Sequence, residues 1–214
     1  MEIWDRRSEY WPDRQPSYFE VLDPELAADH LGVGFALYET LGRFGSHDAQ
    51  FEVAGSIDRQ QNLISVSRKF RPETMRFTAA HEIGHWLLHP GAVMHRDRPI
   101  KGLEAGMDRK RPAVEQEADY FATCFLMPGK LVGRTFARLF GGDFAFDDAS
   151  AFQLSPEDPE AFLRPRHRSL SRELILATAR TFNGLHFKSL AEQFSVSPTT
   201  MAIRLRELKL TPWP

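Results

Sequence analysis

The first part of this chain is organised around the stretch Arg76-Phe77-Thr78-Ala79-Ala80-His81-Glu82-Ile83-Gly84-His85. Residues four apart on an α-helix share a face, so the imidazoles of His81 and His85 can bind one metal ion. Glu82 lies beside them, where a carboxylate can accept a proton from a metal-bound water. The neighbouring residues are mostly apolar, as a buried active-site helix requires. The stretch therefore favours a catalytic metal site over two unrelated histidines on one helix.

A second apolar helix, predicted over residues 113–127, offers acids for the metal site. Two histidines leave a zinc ion short of a third protein ligand, and this helix carries Glu115, Glu117 and Asp119. Glu115 and Asp119 are four apart and share a face with two alanines, which allow another helix to approach closely. We predict Glu115 as the third ligand and Asp119 as the group that orients a liganding imidazole. Glu117 points elsewhere. The alternative is that these acids form a solvated helix face.

Three protein ligands leave a fourth position for water, which is the set of parts that peptide hydrolysis needs. His89 continues the spacing of the two histidines. Three successive turns of one straight helix cannot converge on one ion, so His89 is predicted to be a structural hydrogen-bonding residue. The candidates for the donor that stabilises the oxyanion are His95, Arg109, Tyr120 and His167.

Composition restricts the class of protein. The 214 residues are 42% hydrophobic, enough for a sizeable core, and the net charge of −2 gives no global attraction to nucleic acid or membrane. The lone Cys124 lies in an apolar run, which indicates a buried structural thiol and a reducing compartment. Residues 1–7 lack the apolar core of a signal peptide, and no run is long enough to span a bilayer. We expect a cytoplasmic protein.

The predicted fold class is α+β. Residues 1–22 are predicted to form an irregular arm, and a helix begins at Asp23-Pro24. Short runs at 50–54 and 63–67, joined by a turn over 55–62, predict a hairpin of a small antiparallel sheet. In zinc proteases such a sheet edge can hold an extended peptide. The sheet is expected to pack with the two site helices.

The region after the second site helix changes character. Residues 141–164 are rich in Asp, Pro and Phe and are predicted to form a loosely structured connection. From residue 165 the chain is basic, and residues 190–208 have a helix-turn-helix pattern with Ser197 as a cap. The predicted parts are an arm (1–22), a metallopeptidase domain (23–140), a connection (141–164) and a helix-turn-helix-like region (165–214).

These motifs resemble the ImmA/IrrE family of metallo-endopeptidases. The resemblance is carried by residues 76–89, by residues 115–122, and by Leu126-Met127-Pro128 at the end of the second helix. It is specific because both helices match in order and at a plausible separation. The start at residues 23–27 and the end at residues 190–210 are also similar to that family.

The resemblance implies a zinc-dependent protease with a compact gluzincin-like fold. Known members cleave a helix-turn-helix repressor and so switch on mobile-element or stress-response genes, which makes such a repressor the expected partner. Many members have Asn at the position of Asp119.

Two other functions also fit the sequence. The first is a DNA-binding transcriptional regulator with a non-catalytic metal site, because the basic tail offers phosphate contacts. Against it, a structural zinc site usually uses Cys, and Cys124 has no partner in the sequence. The second is a protease-like scaffold that binds a partner without cutting it, and the presence of Glu82 argues against that.

Overall fold

The structure is a computed structural model that describes residues 2–45, 50–91, 94–97, 112–167 and 169–211. The chain divides into two compact units, Met1–Leu126 and Met127–Pro214. The domain boundaries expected from the sequence stay predictions. Among the described residues, no helix combines the length and apolar character that crossing a membrane requires.

The first unit mixes helices and short strands, which confirms the α+β class. Its elements in chain order are α1 (Glu2–Asp5), α2 (Arg7–Tyr10), α3 (Tyr18–Val21), α4 (Pro24–His30), β1 (Gly34–Tyr38), β2 (Arg43–Phe44), β3 (Phe51–Glu52), β4 (Gly55–Asp58), β5 (Leu63–Ser67), α5 (Pro72–Leu88), β6 (Met94–Asp97) and α6 (Ala113–Leu126). The segment before Asp23 contains three single-turn helices, so the prediction of an irregular arm was wrong there. The side chain of Asp23 caps α4 as predicted.

The main sheet has the strand order β1-β5-β4-β6. Strand β4 is antiparallel to β5 and β6, whereas β1 joins the edge parallel to β5. The prediction of the strand that forms a hairpin with β5 was therefore wrong. That strand consists of residues 55–58 and not of residues 50–54. The turn that joins β4 to β5 needs only residues 59–62. The side chain of Asp58 accepts hydrogen bonds from the backbone amides of Gln60 and Gln61, and Asn62 adopts a φ of 52°.

The core of the first unit lies between the sheet and the helices α4 and α5. Ala28, Ile57, Ile64 and Ile83 are its most buried members, each at most 1% exposed. Burying these side chains supplies the main free energy that holds α5 against the sheet. Between α5 and α6, residues 94–97 form β6, and most of the other residues of this segment lie outside the described part of the chain.

The second unit is mainly helical. Its elements are α7 (Gly129–Phe140), α8 (Asp148–Leu154), α9 (Pro159–Leu163), α10 (Ser171–Thr178), β7 (Thr181–Phe182), β8 (Leu185–His186), α11 (Leu190–Phe194) and α12 (Pro198–Glu207). The prediction of a loose connection over residues 141–164 was wrong, because Asp147 and Asp158 are helix caps and not loop residues. Phe144 and Phe162 pack in an aromatic cluster that gives this segment a core.

Two helices lie within residues 190–208, and the assignment of a helix-turn-helix motif to them stays a prediction. Ser195 ends α11 in a left-handed conformation, and the side chain of Ser197 caps α12 at the amide of Thr200. Both α11 and α12 pack against α10. The chain therefore forms a helix pair with a tight turn at its carboxyl end.

Candidate metal centre

Helix α5 holds the central side chains in the interior of the first unit. His81 and Glu82 are fully buried, and His85 is 1% exposed. The carboxyl end of the helix is held by Arg59, whose Nη2 donates to the carbonyl oxygens of His85, Trp86 and His89 at 2.8–3.1 Å. This guanidinium adds to the backbone hydrogen bond that the His85 carbonyl accepts from the amide of His89, and it gives the carbonyls of Trp86 and His89 a donor at the helix end. The turn that carries His85 is thereby fixed.

Helix α6 reaches α5 because both present small residues at their contact. A Cβ on Gly84 would lie 3.2 Å from the Cα of Ala118, and Ala118 and Ala122 are fully buried. The backbones therefore approach closely, and acids of α6 come within reach of the imidazoles of α5. The sequence predicted this from the two alanines, whereas the part played by Gly84 was not anticipated.

His81, His85 and Glu115 converge. The Nε2 atoms of the two histidines are 2.9 Å apart. Glu115 Oε2 lies 3.5 Å from Nε2 of His81, and its Oε1 lies 3.6 Å from Nε2 of His85. The donor atoms of a tetrahedral zinc site with bonds of about 2.0–2.1 Å lie about 3.3 Å apart. Within the described part of the chain, these three side chains form a cluster compatible with a metal site.

Asp119 determines which nitrogen of His81 faces the cluster. Its Oδ1 lies 2.9 Å from Nδ1 of His81, and the carboxylate is 9% exposed. A carboxylate only accepts hydrogen bonds, so Nδ1 of His81 carries the hydrogen and Nε2 presents a lone pair. Two imidazoles and a carboxylate then offer electron pairs to one point, which is the donor set that a metal cation fits.

His89 lies at the end of α5 and contacts both helices. Its Nδ1 is 2.9 Å from Nδ1 of His85, and its Nε2 is 3.0 Å from Oε2 of Glu117. It thus has the hydrogen-bonding position predicted for it. Glu117, which the sequence placed on another face of α6, does not join the three-residue cluster but contacts His89.

The backbone of β4 passes directly over Glu82. A Cβ on Gly55 would come within 2.5 Å of Oε1 of Glu82 and of Cγ2 of Thr78. Nonbonded heavy atoms do not come this close, so only glycine fits this position without a shift of its neighbours. The sequence interpretation missed Gly55, whose only signal was a glycine inside a short apolar segment.

Of the four candidate donors for the oxyanion, two have side chains that the structure describes. His95 is on β6 and Arg109 follows it, and both side chains lie outside the described residues. Tyr120 is on α6 with 63% of its surface exposed, and His167 is an exposed residue of the second unit. Cys124, expected to be buried, is half-buried. Among the described side chains of the first unit, Tyr120 and Cys124 do not belong to the cluster of His81, His85 and Glu115.

Comparison with known proteins agrees with this geometry. The model of the IrrE N-terminal-like domain, peptidase family M78, matches residues 48–157, which is half of the chain. The match includes both site helices and extends past residue 140 into α8. A search among curated proteins gave no match.

Proposed function

The chain belongs to the ImmA/IrrE family of metallopeptidases, and from this premise we propose that it is a zinc-dependent endopeptidase. The observation that carries the proposal is the buried convergence of His81, His85 and Glu115, with Glu82 on the same helix. Two imidazoles and one carboxylate form a ligand set used by catalytic zinc sites, which keep a further position open. A closed structural site more often uses thiolates.

In this proposal His81, His85 and Glu115 hold the zinc ion, and Asp119 orients His81. Zinc, when bound, supplies positive charge that lowers the pKa of water and polarises the scissile carbonyl. Hydrolysis adds one water across the amide bond, with oxygen going to the carbonyl carbon and a proton to the leaving nitrogen. Glu82 is the group that accepts the proton of the attacking water and delivers it to the leaving amine.

The sheet and the helices exclude bulk water from Glu82 and restrict the movement of its carboxylate. Burial in the core keeps bulk water away from its carboxylate, and the backbone at Gly55 limits where the carboxylate can move. A base held in this way needs little reorganisation as the proton moves. The preorganisation comes from packing and not from the metal ligands alone.

A protein is the proposed substrate, since the family consists of peptidases. The resemblance of the two site helices to ImmA/IrrE enzymes supports a helix-turn-helix repressor as that protein. Its cleavage would release genes of a mobile element or a stress response. We propose that the reaction takes place in the cytoplasm.

The rival proposal of a DNA-binding regulator is weakened by three arginines of α10 and α12. Three of the basic residues that suggested phosphate contacts have partners inside the second unit. Arg172 donates to the carbonyls of Phe162 and Leu163, Arg204 donates to that of Met127, and Arg206 pairs with the buried Glu173. Non-specific affinity for DNA depends on cations that can reach phosphates. These three arginines support the packing of the unit instead.

The proposal is tested by cleavage of a repressor. The zinc-loaded protein is incubated with a small helix-turn-helix repressor, taken from the neighbouring gene where that gene encodes one, and products are identified by mass spectrometry. We expect one or a few defined cuts. Glu82→Gln keeps size and polarity but removes the proton acceptor, so it should bind zinc and lose cleavage about a hundred- to ten-thousand-fold.

Two outcomes would count against the enzyme. Undiminished cleavage by Glu82→Gln would remove Glu82 from the mechanism. Absence of cleavage by the wild type, together with tight binding of the repressor, would favour the non-cutting scaffold. His81→Ala serves as the control that should lose zinc and cleavage together.

A further inference from the structure

His89 and Glu117 extend the candidate metal centre by one more layer. His89 lies between His85 on its own helix and Glu117 on α6, with nitrogen–nitrogen and nitrogen–oxygen distances of 2.9 and 3.0 Å. The side chain of His89 is 11% exposed, whereas that of Glu117 is 61% exposed. The chain of contacts thus runs from solvent to a buried imidazole.

The positions of the hydrogens in this series of contacts follow from Glu117, which lies at its solvent-exposed end. The carboxylate of Glu117 accepts a hydrogen bond, so Nε2 of a neutral His89 carries the hydrogen. Nδ1 of His89 then has only a lone pair, and its neighbour at 2.9 Å, Nδ1 of His85, must be the donor. A neutral His85 with its hydrogen on Nδ1 presents the lone pair of Nε2 to the cluster, as a metal ligand requires.

We propose that His89 and Glu117 are positioning residues that fix His85 in its metal-binding tautomer. The inference rests on the proposed function, because it concerns the same metal centre. Each liganding histidine then has a carboxylate of α6 behind it. Asp119 acts on His81 directly, and Glu117 acts on His85 through His89. One helix thereby supplies a ligand and the orientation of both imidazoles.

The arrangement predicts an order of effects on zinc affinity. Loss of an outer hydrogen-bond partner of a metal ligand costs about ten- to a hundredfold in affinity. His89→Leu should weaken zinc binding by about that factor. Glu117→Ala should have a smaller effect of up to about tenfold, because water can replace an exposed carboxylate. Glu115→Ala, which removes a proposed ligand, should exceed both.

Conservative variants separate hydrogen bonding from packing. His89→Asn places an amide oxygen close to the position of Nδ1, so it should restore much of the affinity lost in His89→Leu. Glu117→Gln keeps an acceptor oxygen and should stay near the wild type. Glu25→Ala removes an equal charge from an exposed position of α4 and should leave affinity unchanged. Zinc dissociation constants are measured by competition with a chromophoric chelator.

The tautomer itself is measured without zinc or substrate. Nitrogen-15 spectra of the histidine rings in the zinc-free full-length protein distinguish hydrogen on Nδ1 from hydrogen on Nε2. We expect His85 to carry it on Nδ1 in the wild type and in His89→Asn, and to shift toward Nε2 in His89→Leu. An unchanged tautomer in His89→Leu, or wild-type zinc affinity in that variant, would overturn the inference. Because the spectra require no activity, this result is independent of whether the protein cleaves a repressor.

Discussion

Gly55 is the residue at which the sheet approaches the proposed base most closely. Its φ does not require glycine, so the constraint is the 2.5 Å separation that a Cβ would have from Glu82 and from Thr78. Any side chain here must displace the carboxylate, the threonine or the strand. The position of Glu82 therefore depends on the lack of a side chain at this point of β4 as much as on α5.

We predict that Gly55→Ala lowers kcat by about a hundredfold with little change in zinc affinity, because a displacement of about 1 Å at a reacting group can cost that much. Steady-state kinetics and chelator competition measure the two quantities. Crowding at Thr78 should also destabilise the fold by about 1–3 kcal/mol. The second replacement Thr78→Ala should recover stability but not kcat, since the contact with Glu82 persists.

Gly133→Ala is the matched control for this prediction. It adds the same methyl group to a glycine of α7 that has open space around it. Alanine is also the better helix former, so stability should rise slightly and kcat should stay unchanged. Wild-type kcat in Gly55→Ala would show that Glu82 tolerates displacement and that β4 does not set its position.

At the scale of elements, α12 shows that a basic helix need not be a nucleic-acid surface. Glu173 of α10 is 3% exposed in its side chain, and Arg206 pairs with it at 2.8 Å. Thr211 donates a further hydrogen bond to Glu173 at 3.0 Å, and Arg206 also donates to the carbonyl of Ser169. This network ties α12 to α10. A buried carboxylate depends on such partners for its charge to be tolerated.

We predict that Arg206→Met destabilises the second unit by about 3–5 kcal/mol, because it leaves Glu173 buried without its cation. Replacing both residues, as in Arg206→Met with Glu173→Leu, should recover most of the loss. Urea unfolding followed by circular dichroism measures the difference. Lys188→Met, which removes an exposed cation, should change stability by less than about 0.5 kcal/mol. If Arg206→Met instead left stability intact and reduced binding to DNA, the regulator proposal would regain support.

At the scale of the whole molecule, metal binding should be linked to folding. The three proposed ligands come from α5 and α6, and the ligand geometry exists only when these helices pack together. Zinc that binds the folded chain more tightly than the unfolded chain must raise stability. The linkage follows from where the ligands lie in the sequence, since they are separated by the segment between the two helices.

We predict that zinc at a hundredfold excess over its Kd stabilises the first unit by about 2.7 kcal/mol. Differential scanning calorimetry with zinc and with chelator should show a shift of several degrees in Tm. His81→Ala and Glu115→Ala should abolish the shift, whereas Glu82→Gln should retain it. An equal shift in His81→Ala would place the stabilising ion elsewhere on the chain.

Much of the candidate site could be predicted from local patterns. The spacing of His81 and His85 is a property of the α-helix itself, and the helix caps at Asp23 and Ser197 depend on neighbouring residues. The helical spacing also predicted which acidic residues of α6 lie on the same face, because residues three or four apart share a helix face. The second site helix was predicted over residues 113–127 and is observed over Ala113–Leu126. A difference of this size at a helix end depends on capping and context.

Tertiary structure decided the features that depend on residues far apart in sequence. The antiparallel partner of β5 is set by burial of Ile57 in the core and by the approach of Gly55 to α5. Neither contact can be read from the local alternation of apolar and polar residues. The contact of His89 with Glu117 arises only after Gly84 and Ala118 bring the helices together. Likewise the composition of α12 indicated exposed cations, whereas packing against α10 turned Arg206 inward. Sequence periodicity thus determined which residues share a face, and only the packing of one element on another determined what each face meets.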